Sequence, residues 1–272
     1  MNKRNITLKD IAKECNCSVA TVSYVLNNVP NQSISEERRN KILQVANLYR
    51  YDVNPYARAL AKGKMHNILL YYEDTDFPLY KAEILNFIGD LSLFLKNEDF
   101  YLMVTPSIEP TRFDYADAVI VFNSTKDKFM KLANKNFVPL IAFNINIDEP
   151  LFFEIHENYH QTLANYIDNP LYQIVLFPFP DESINKELKK YLNLTFITSF
   201  DDLNNFINKF INQSIKVITL NKELDLILSK KFDTKFINLN SKDKFNALIE
   251  TINLALNKEE VKTHKFIVTS GE

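Results

Sequence analysis

The chain has 272 residues, of which 46% are hydrophobic and 24% are charged, a composition typical of one to three globular domains. Its three glycines, Gly63, Gly89 and Gly271, lie far apart, which excludes the glycine-rich phosphate loops of dinucleotide-binding and nucleotide-hydrolysing enzymes. The net charge of −2 is unevenly spread, because residues 1–64 carry +6 and residues 65–272 carry −8. A basic segment ahead of an acidic body suggests a domain that binds a polyanion.

The apolar runs of the sequence are short. None approaches the roughly 18 residues of a membrane span, and no apolar stretch follows the first charged residues. We therefore expect a cytoplasmic protein without a signal peptide or a membrane partner.

Three short helices are predicted in the basic segment. Thr7, with Asp10 three residues later, forms a capping-box signature that begins the first helix. Ser18 and Ser35 are suitable N-caps for the second and third helices, and Asn16 tolerates the left-handed backbone of a tight turn between the first two. The predicted core faces are Leu8, Ile11, Ala12 and Cys15, then Val19, Val22 and Leu26, then Ile42, Val45, Ala46 and Tyr49.

This arrangement is typical of a helix-turn-helix DNA-binding domain. Small side chains on the second helix allow close approach to the major groove, and hydroxyl groups there can contact phosphates. The alternative is a three-helix bundle that binds protein, and the positive charge favours DNA. The polar face of the second helix consists of Ser18, Ala20, Thr21, Ser23, Tyr24 and Asn27.

The two cysteines, Cys15 and Cys17, lie where the first two helices pack. We interpret them as small hydrophobic residues. A zinc site needs about four ligands, and no histidine precedes His66. The sequence predicts neither a metal nor a cofactor.

A second informative stretch is residues 54–62, "NPYARALAK". Asn54 is a good N-cap and Pro55 suits the first helical turn. A helix this short is marginal alone, and its large aliphatic residue, Leu60, suits insertion into a minor groove. The alternative is an ordinary linker helix.

The pattern A-T-V-S-x-V-L-N, then S-x-E-x-R, then a Tyr-x-x-Asn lead into an alanine-rich hinge, resembles the headpiece of the lactose/galactose repressor family. The resemblance implies a DNA-binding headpiece at 1–53, a hinge helix at 54–64 and an effector-binding and dimerisation core at 65–272. Tyr24 replaces a base-reading arginine common in the family, and Asn16 and Arg50 replace two customary glycines. The implied DNA-binding residues are Thr7, Ser18, Val19, Ala20, Thr21, Ser23, Tyr24, Asn27, Asn54, Ala57, Leu60 and Ala61.

From residue 66 onwards, apolar strand-like segments alternate with helical patterns, which predicts an α/β protein with mainly parallel sheets. About 200 residues favour two lobes. With the headpiece, the predicted fold class is an all-α helix-turn-helix domain plus an α/β core that resembles periplasmic binding proteins. Strands are predicted at 66–72, 100–105, 116–122, 138–143, 151–155, 172–178, 215–220 and 234–239, and helices at 80–96, 126–136, 157–168, 181–192, 201–212 and 242–257.

The resemblance also implies a ligand site at the strand ends of the core. Asn144, Asn221-Lys222 and Asn240 stand where acidic residues are common in the family, and no arginine follows Arg112. Charge-assisted hydrogen bonds are about twice as strong as neutral ones, so we expect any effector not to be a typical sugar. The implied effector-binding residues are Asp76, Phe77, Ser124, Asn144, His156, Asn221 and Asn240.

One motif suggests different chemistry. Residues 156–160, "HENYH", match the H-E-x-x-H pattern of zinc hydrolases, with His156 and His160 as ligands and Glu157 as general base. The motif directly follows a predicted strand, whereas the zinc motif lies within a longer helix. We therefore favour His156 as a cleft residue at a strand end.

The leading hypothesis is a homodimeric regulator of transcription, a repressor rather than an enzyme, that binds a near-palindromic double-stranded DNA operator. Two alternatives remain at this stage. In one, the core is only a dimerisation scaffold without an effector, and in the other the chain is a zinc hydrolase.

Overall fold

The computed structural model describes residues 6–26, 29, 32–49, 51, 66–106, 111–259, 261 and 263–270. Its internal contacts divide the chain into two units, Met1–Met65 and His66–Glu272. Within the described ranges, no helix has both the length and the apolar character to cross a membrane.

The N-terminal unit contains three helices, α1 (Leu8–Glu14), α2 (Val19–Leu26) and α3 (Glu36–Leu48). The predicted capping box of Thr7 and Asp10 is present, and Asn16 adopts the expected left-handed conformation with φ of 51°. These helices enclose a small core of Ile11, Ala12, Cys15, Val22, Val25, Ile42 and Ala46.

One detail of this core differs from the prediction. Val25 is buried, whereas Val19, which we expected in the core, is 39% exposed. Val19 is the first residue of α2, and helical side chains tilt towards the N-terminus, so its side chain projects beyond the core. Cys15 is buried and Cys17 half-buried, both as free thiols, and burial raises the pKa of the Cys15 thiol.

The second unit is built on two parallel sheets. The larger has six strands in the order β10-β5-β4-β3-β1-β2, and the smaller has four in the order β7-β6-β8-β9. The strands are β1 (Asn67–Tyr72), β2 (Tyr101–Pro106), β3 (Ala118–Phe122), β4 (Leu140–Phe143), β5 (Phe153–Glu157), β6 (Tyr172–Leu176), β7 (Leu194–Phe196), β8 (Lys216–Thr219), β9 (Asp233–Phe236) and β10 (Lys265–Val268). The helices are α4 (Pro78–Asn97), α5 (Lys126–Ala133), α6 (Tyr159–Leu163), α7 (Glu182–Leu188), α8 (Phe200–Phe210), α9 (Lys222–Leu228) and α10 (Lys242–Asn257).

Each sheet is covered by helices on both faces, which explains why the central strands read as continuous apolar runs. One face of the six-stranded sheet packs against α4 and α10 through residues such as Phe87, Leu91 and Leu248. The other face packs against α5 through Phe129 and Leu132. The chain passes to the four-stranded sheet after β5 and returns after β9, which creates the two predicted lobes.

Three elements differ from the sequence-based expectation. The strand β7 and the helix α9 were not predicted, because each is shorter than the pattern that identifies its type. The helix expected at 157–168 is reduced to α6, because His156 and Glu157 belong to β5. The helix α10 matches the predicted range, with Ser241 as its N-cap.

A buried ion pair joins the two segments of chain that pass between the lobes. The Glu157 carboxylate at the end of β5 lies 3.0 Å from the Lys244 ammonium in the first turn of α10, and both side chains are inaccessible to solvent. Glu157 also accepts hydrogen bonds from Thr162 Oγ1 at 2.6 Å and from the Ser270 amide at 2.7 Å. Burial alone lowers the pKa of Lys244, and the adjacent Glu157 carboxylate opposes that shift.

We expect Glu157→Gln to lower the free energy of unfolding by about 3–5 kcal/mol, because it leaves the Lys244 ammonium buried without a counter-charge. The double variant Glu157→Gln/Lys244→Met should recover most of that loss. Urea unfolding followed by circular dichroism measures both.

The control is Lys216→Met, which removes an exposed ion pair with Asp233 and should change stability little. A Glu157→Gln variant as stable as the wild type would contradict a structural role for the buried pair.

Candidate nucleic-acid interface and inter-lobe cavity

The helix α2 presents a small, partly polar face to solvent. Ala20 is exposed, Tyr24 is 39% exposed, and Thr21 and Ser23 are half-buried. Ser18 Oγ accepts a hydrogen bond from the Thr21 amide at 3.0 Å and lies 2.8 Å from Thr21 Oγ1. The two hydroxyl groups therefore fix the N-terminal turn of α2, the end of a helix that attracts phosphate.

The rest of the predicted DNA-binding set divides into two groups. Thr7 and Val19 are exposed, and the hydroxyl group of Thr7 donates to Asp10 at 2.7 Å. The other members, Asn27, Asn54, Ala57, Leu60 and Ala61, lie outside the described residues, as does Arg50.

Basic side chains on the N-terminal unit reach solvent. Lys9, Lys13, Arg38 and Lys41 are exposed. Of the acidic residues, Asp10 is engaged in the capping box of α1. Glu14, Glu36 and Glu37 are exposed as well. Exposed cations are the groups that supply the sequence-independent part of binding to DNA phosphates.

The second unit contains a cavity of about 70 Å³ between its two lobes. The larger lobe contributes residues from α4 and from the ends of β3 and β4, and the smaller lobe contributes the segments that follow β6, β8 and β9. Its lining residues are Tyr80, Glu83, Ile84, Phe87, Phe122, Asn123, Phe143, Asn144, Phe177, Phe179, Pro180, Leu220, Asn221, Asn238, Leu239 and Asn240.

Of the seven predicted effector-binding residues, Asn144, Asn221 and Asn240 line this cavity. Asn144 has a left-handed backbone with φ of 56°, and its side-chain oxygen is buried without a hydrogen-bond partner in the described part of the chain. Asn221 Oδ1 accepts from the Phe177 amide at 2.9 Å, and Asn240 Nδ2 donates to Asp90 at 3.2 Å.

The other four predicted residues lie outside the cavity. Phe77 makes edge-to-face contacts with Phe177 and Phe200, and Ser124 is buried and donates to Glu73 at 2.7 Å. Asp76 is exposed.

The fourth of them, His156, borders a neighbouring groove that shares Asn144 with the cavity. His156 Nε2 lies 2.7 Å from Glu154 Oε2. Burial acts to raise the pKa of Glu154, but the interactions with His156, the Ile147 amide and Lys265 together outweigh burial, and the net shift of the pKa is downwards. The groove also includes Tyr159, whose hydroxyl group is buried without a described partner.

The "HENYH" residues do not share a helix face. His156 and Glu157 lie in β5 and His160 in α6. His160 Nδ1 is 3.0 Å from the hydroxyl group of Tyr191, and Glu157 is committed to its buried ion pair. Among the described residues, no group of three or more His, Cys, Asp or Glu side chains has the arrangement of a metal site.

Polar contacts between the lobes border the cavity. Glu83 Oε2 accepts from the Glu223 amide at 3.1 Å, and Asn86 Nδ2 donates to the Glu223 carboxylate at 2.8 Å. On another side, the Asn146 amide donates to Asp181 at 2.8 Å. These bonds join the two lobes.

Sequence reasoning missed the α4 side of the cavity. Tyr80, Glu83 and Phe87 are spaced three and four residues apart on one helix face. Their spacing was visible in the sequence, but only the packing of α4 against both lobes shows that this face borders the cleft.

Comparisons with known proteins agree with this architecture. Residues 7–54 match the family described as bacterial regulatory proteins, lacI family. The HTH-type transcriptional regulator pepR1 of Lactobacillus delbrueckii subsp. lactis is 32% identical over 137 residues, which are 50% of this chain and 39% of the relative. The probable HTH-type transcriptional repressor ExuR of Bacillus subtilis is 30% identical over 162 residues, 56% of this chain and 47% of the relative. The chain thus spans less than half the length of these curated relatives.

Solved structures share the fold at low identity. A Lac repressor bound to ONPG is 13% identical, covers 98% of both chains and has a TM-score of 0.61. A periplasmic binding protein/LacI transcriptional regulator from Alkaliphilus metalliredigens, complexed with D-xylulofuranose, is 12% identical, covers 75% of this chain and 96% of its own, and has a TM-score of 0.51. Both confirm the predicted fold class. Residues 7–54 are thus similar to the lacI family of bacterial regulatory proteins, and the chain as a whole shares the fold of these solved structures.

Proposed function

We propose that the chain is a cytoplasmic, sequence-specific DNA-binding transcription regulator that acts as a repressor and not as an enzyme. The observation that carries this proposal is the exposed face of α2 within a domain that matches the lacI family over residues 7–54. In this proposal residues 1–53 form the DNA-binding headpiece, 54–64 the hinge helix and 65–272 the dimerisation and effector-binding core.

The headpiece reads DNA in two ways. Exposed cations and the N-terminal turn of α2 contact phosphates, which fixes the position of the domain on the duplex. Tyr24, in the middle of α2, contacts base edges. It takes the place of the arginine with which many members of the family contact guanine. The relatives named as transcriptional regulators support this assignment.

The core carries a surface suited to a second copy of the chain. On α4, Leu85 and Leu93 are 57% and 67% exposed, and Gly89 lies between them on the same face. The helix α9 packs against α4 and adds Leu226, which is 52% exposed. Exposed apolar patches that extend over two elements are typical of protein interfaces, and a dimer matches the two-fold symmetry of a near-palindromic operator.

The cavity between the lobes is the proposed effector site. A ligand there contacts both lobes at once, so it binds the closed arrangement more tightly than an open one. Such unequal binding is what an effector needs to shift a conformational equilibrium.

Operator affinity should fall steeply with salt. After selection of bound sites from random duplex DNA, we expect the association constant to drop by on the order of 10³-fold or more between about 50 and 200 mM KCl, because several phosphate contacts release counterions. Fluorescence anisotropy at a series of salt concentrations measures the slope. A binding constant independent of salt, or no selected sequence at all, would contradict the proposed function.

Tyr24→Ala should change base preference at one position in each half-site, with a change of about 1–3 kcal/mol in discrimination there. Thr21→Ala, on the same helix, should weaken binding to all sequences alike, because its hydroxyl group belongs to the phosphate-facing turn. Repeating the selection with both variants distinguishes the two roles. An unaltered consensus for Tyr24→Ala would remove Tyr24 from the base-reading set.

Leu93→Glu should convert the protein from dimer to monomer and reduce operator affinity by about tenfold or more, since each half-site is then bound separately. Leu192→Glu is the matched control, because Leu192 is 94% exposed and lies outside the α4 surface. Sedimentation velocity gives the oligomeric state. A Leu93→Glu variant that remains dimeric would exclude this surface as the interface.

A further inference from the structure

The cavity between the lobes is strongly aromatic and carries a single charged side chain. Among its described lining residues, Glu83 is the one acidic side chain, and no lysine, arginine or histidine is present. Phe87 and Phe122 stack with their centroids 3.9 Å apart, and Tyr80 stacks on Phe177 at 5.1 Å. The six aromatic rings are those of Tyr80, Phe87, Phe122, Phe143, Phe177 and Phe179.

The asparagines of the cavity leave one acceptor unused. The side-chain oxygen of Asn123 accepts from the hydroxyl group of Tyr80, and that of Asn238 accepts from the Asn240 amide at 2.9 Å. The oxygen of Asn144, by contrast, is buried without a described partner. A buried acceptor left unpaired is costly, so a ligand that donates a hydrogen bond to Asn144 gains affinity.

Glu83 is held in place by the start of α9, where Lys222 and the Glu223 amide offset part of its charge. Its carboxylate accepts from the Glu223 amide, and both burial and the nearby Glu223 carboxylate act to raise the pKa of Glu83. Lys244 lies with its ammonium 5.3 Å from the centroid of the Phe143 ring, but it is paired with Glu157. A positive ligand group would offset the repulsion between the two glutamates where the lobes meet.

We propose that the ligand of this cavity is a compact organic cation, an alkylamine or a small ammonium compound. Its ammonium group binds Glu83 and donates to Asn144, and its carbon skeleton packs on the aromatic rings, whose faces attract cations. The proposal rests on the proposed function, in which this ligand is the effector. The volume of about 70 Å³ is roughly half of a cavity of about 150 Å³ that holds benzene, which limits the ligand to a few carbon atoms unless the lobes open.

Three probes with the same branched four-carbon skeleton test the charge requirement on the full chain at pH 7: isobutylamine, isobutanol and isobutyrate. An alkylamine has a pKa near that of lysine, about 10.4, and is therefore a cation at this pH. Isothermal titration calorimetry should show the amine binding about tenfold or more tightly than the alcohol, with no binding of isobutyrate. Glucose serves as a fourth probe and should not bind.

Two variants assign the binding to this cavity. Glu83→Gln keeps an acceptor for the Glu223 amide and should remove most of the preference for amine over alcohol. Glu98→Gln is the matched control, because it makes the same change at an exposed position next to the end of α4. This variant should keep the preference for amine over alcohol. Asn144→Asp adds a second carboxylate at a position where aspartate tolerates the left-handed backbone, and it should tighten amine binding. If thermal melting shows that Glu83→Gln does not fold, Asn144→Asp decides the test.

The outcomes separate this inference from the proposed function. Equal or tighter binding of the alcohol, the carboxylate or glucose overturns the amine proposal, and so does the absence of amine binding, while operator binding measured in parallel stands unaffected. Amine binding without any operator binding instead contradicts the regulator function and leaves the ligand class supported.

Discussion

The buried ion pair between Glu157 and Lys244 is the constraint on which the two-lobed core depends. It joins the strand where the chain leaves the larger sheet to the helix with which the chain returns, and the Ser270 amide binds the same carboxylate. A desolvated pair stabilises only when its partners are held in place. The lobes meet at a second place, the edge where α4 packs against α9.

At that edge the cavity and the proposed dimer surface lie on one helix. The inward face of α4 carries Tyr80, Glu83 and Phe87, and its outward face carries Leu85 and Leu93. A shift of α4 on ligand binding is thus felt at the proposed interface between two copies. Under the proposed function, a ligand in the cavity therefore acts on the dimer through α4.

Much of this architecture was predictable from local patterns, and what was missed has physical causes. Buried parallel strands such as "NILLYY" and a capped amphipathic helix such as α10 can be predicted from the sequence, because the apolar pattern that marks them lies within a single element. Val19 was misassigned because the tilt of a terminal side chain depends on where the helix begins. Ser124 was expected in the cleft, but it is buried against Glu73, since a position after a strand does not determine which way a side chain turns. The contribution of α4 to the cavity could not be predicted, because it depends on how α4 packs against both lobes and not on a pattern within the helix.

The composition of the cavity also bears on the regulatory role of the core. Across the cleft, Tyr80 donates to Asn123 and stacks on Phe177, and Asn86 and Glu83 bridge to Glu223. A ligand that only replaced these contacts would bind both arrangements equally and shift nothing. The group of the cavity left without a described partner is the Asn144 oxygen. In the proposed function, the ammonium group of the ligand binds Glu83 and Asn144 of the larger lobe while its carbon skeleton packs on Phe177 and Phe179 of the smaller lobe, so that one ligand contacts both lobes.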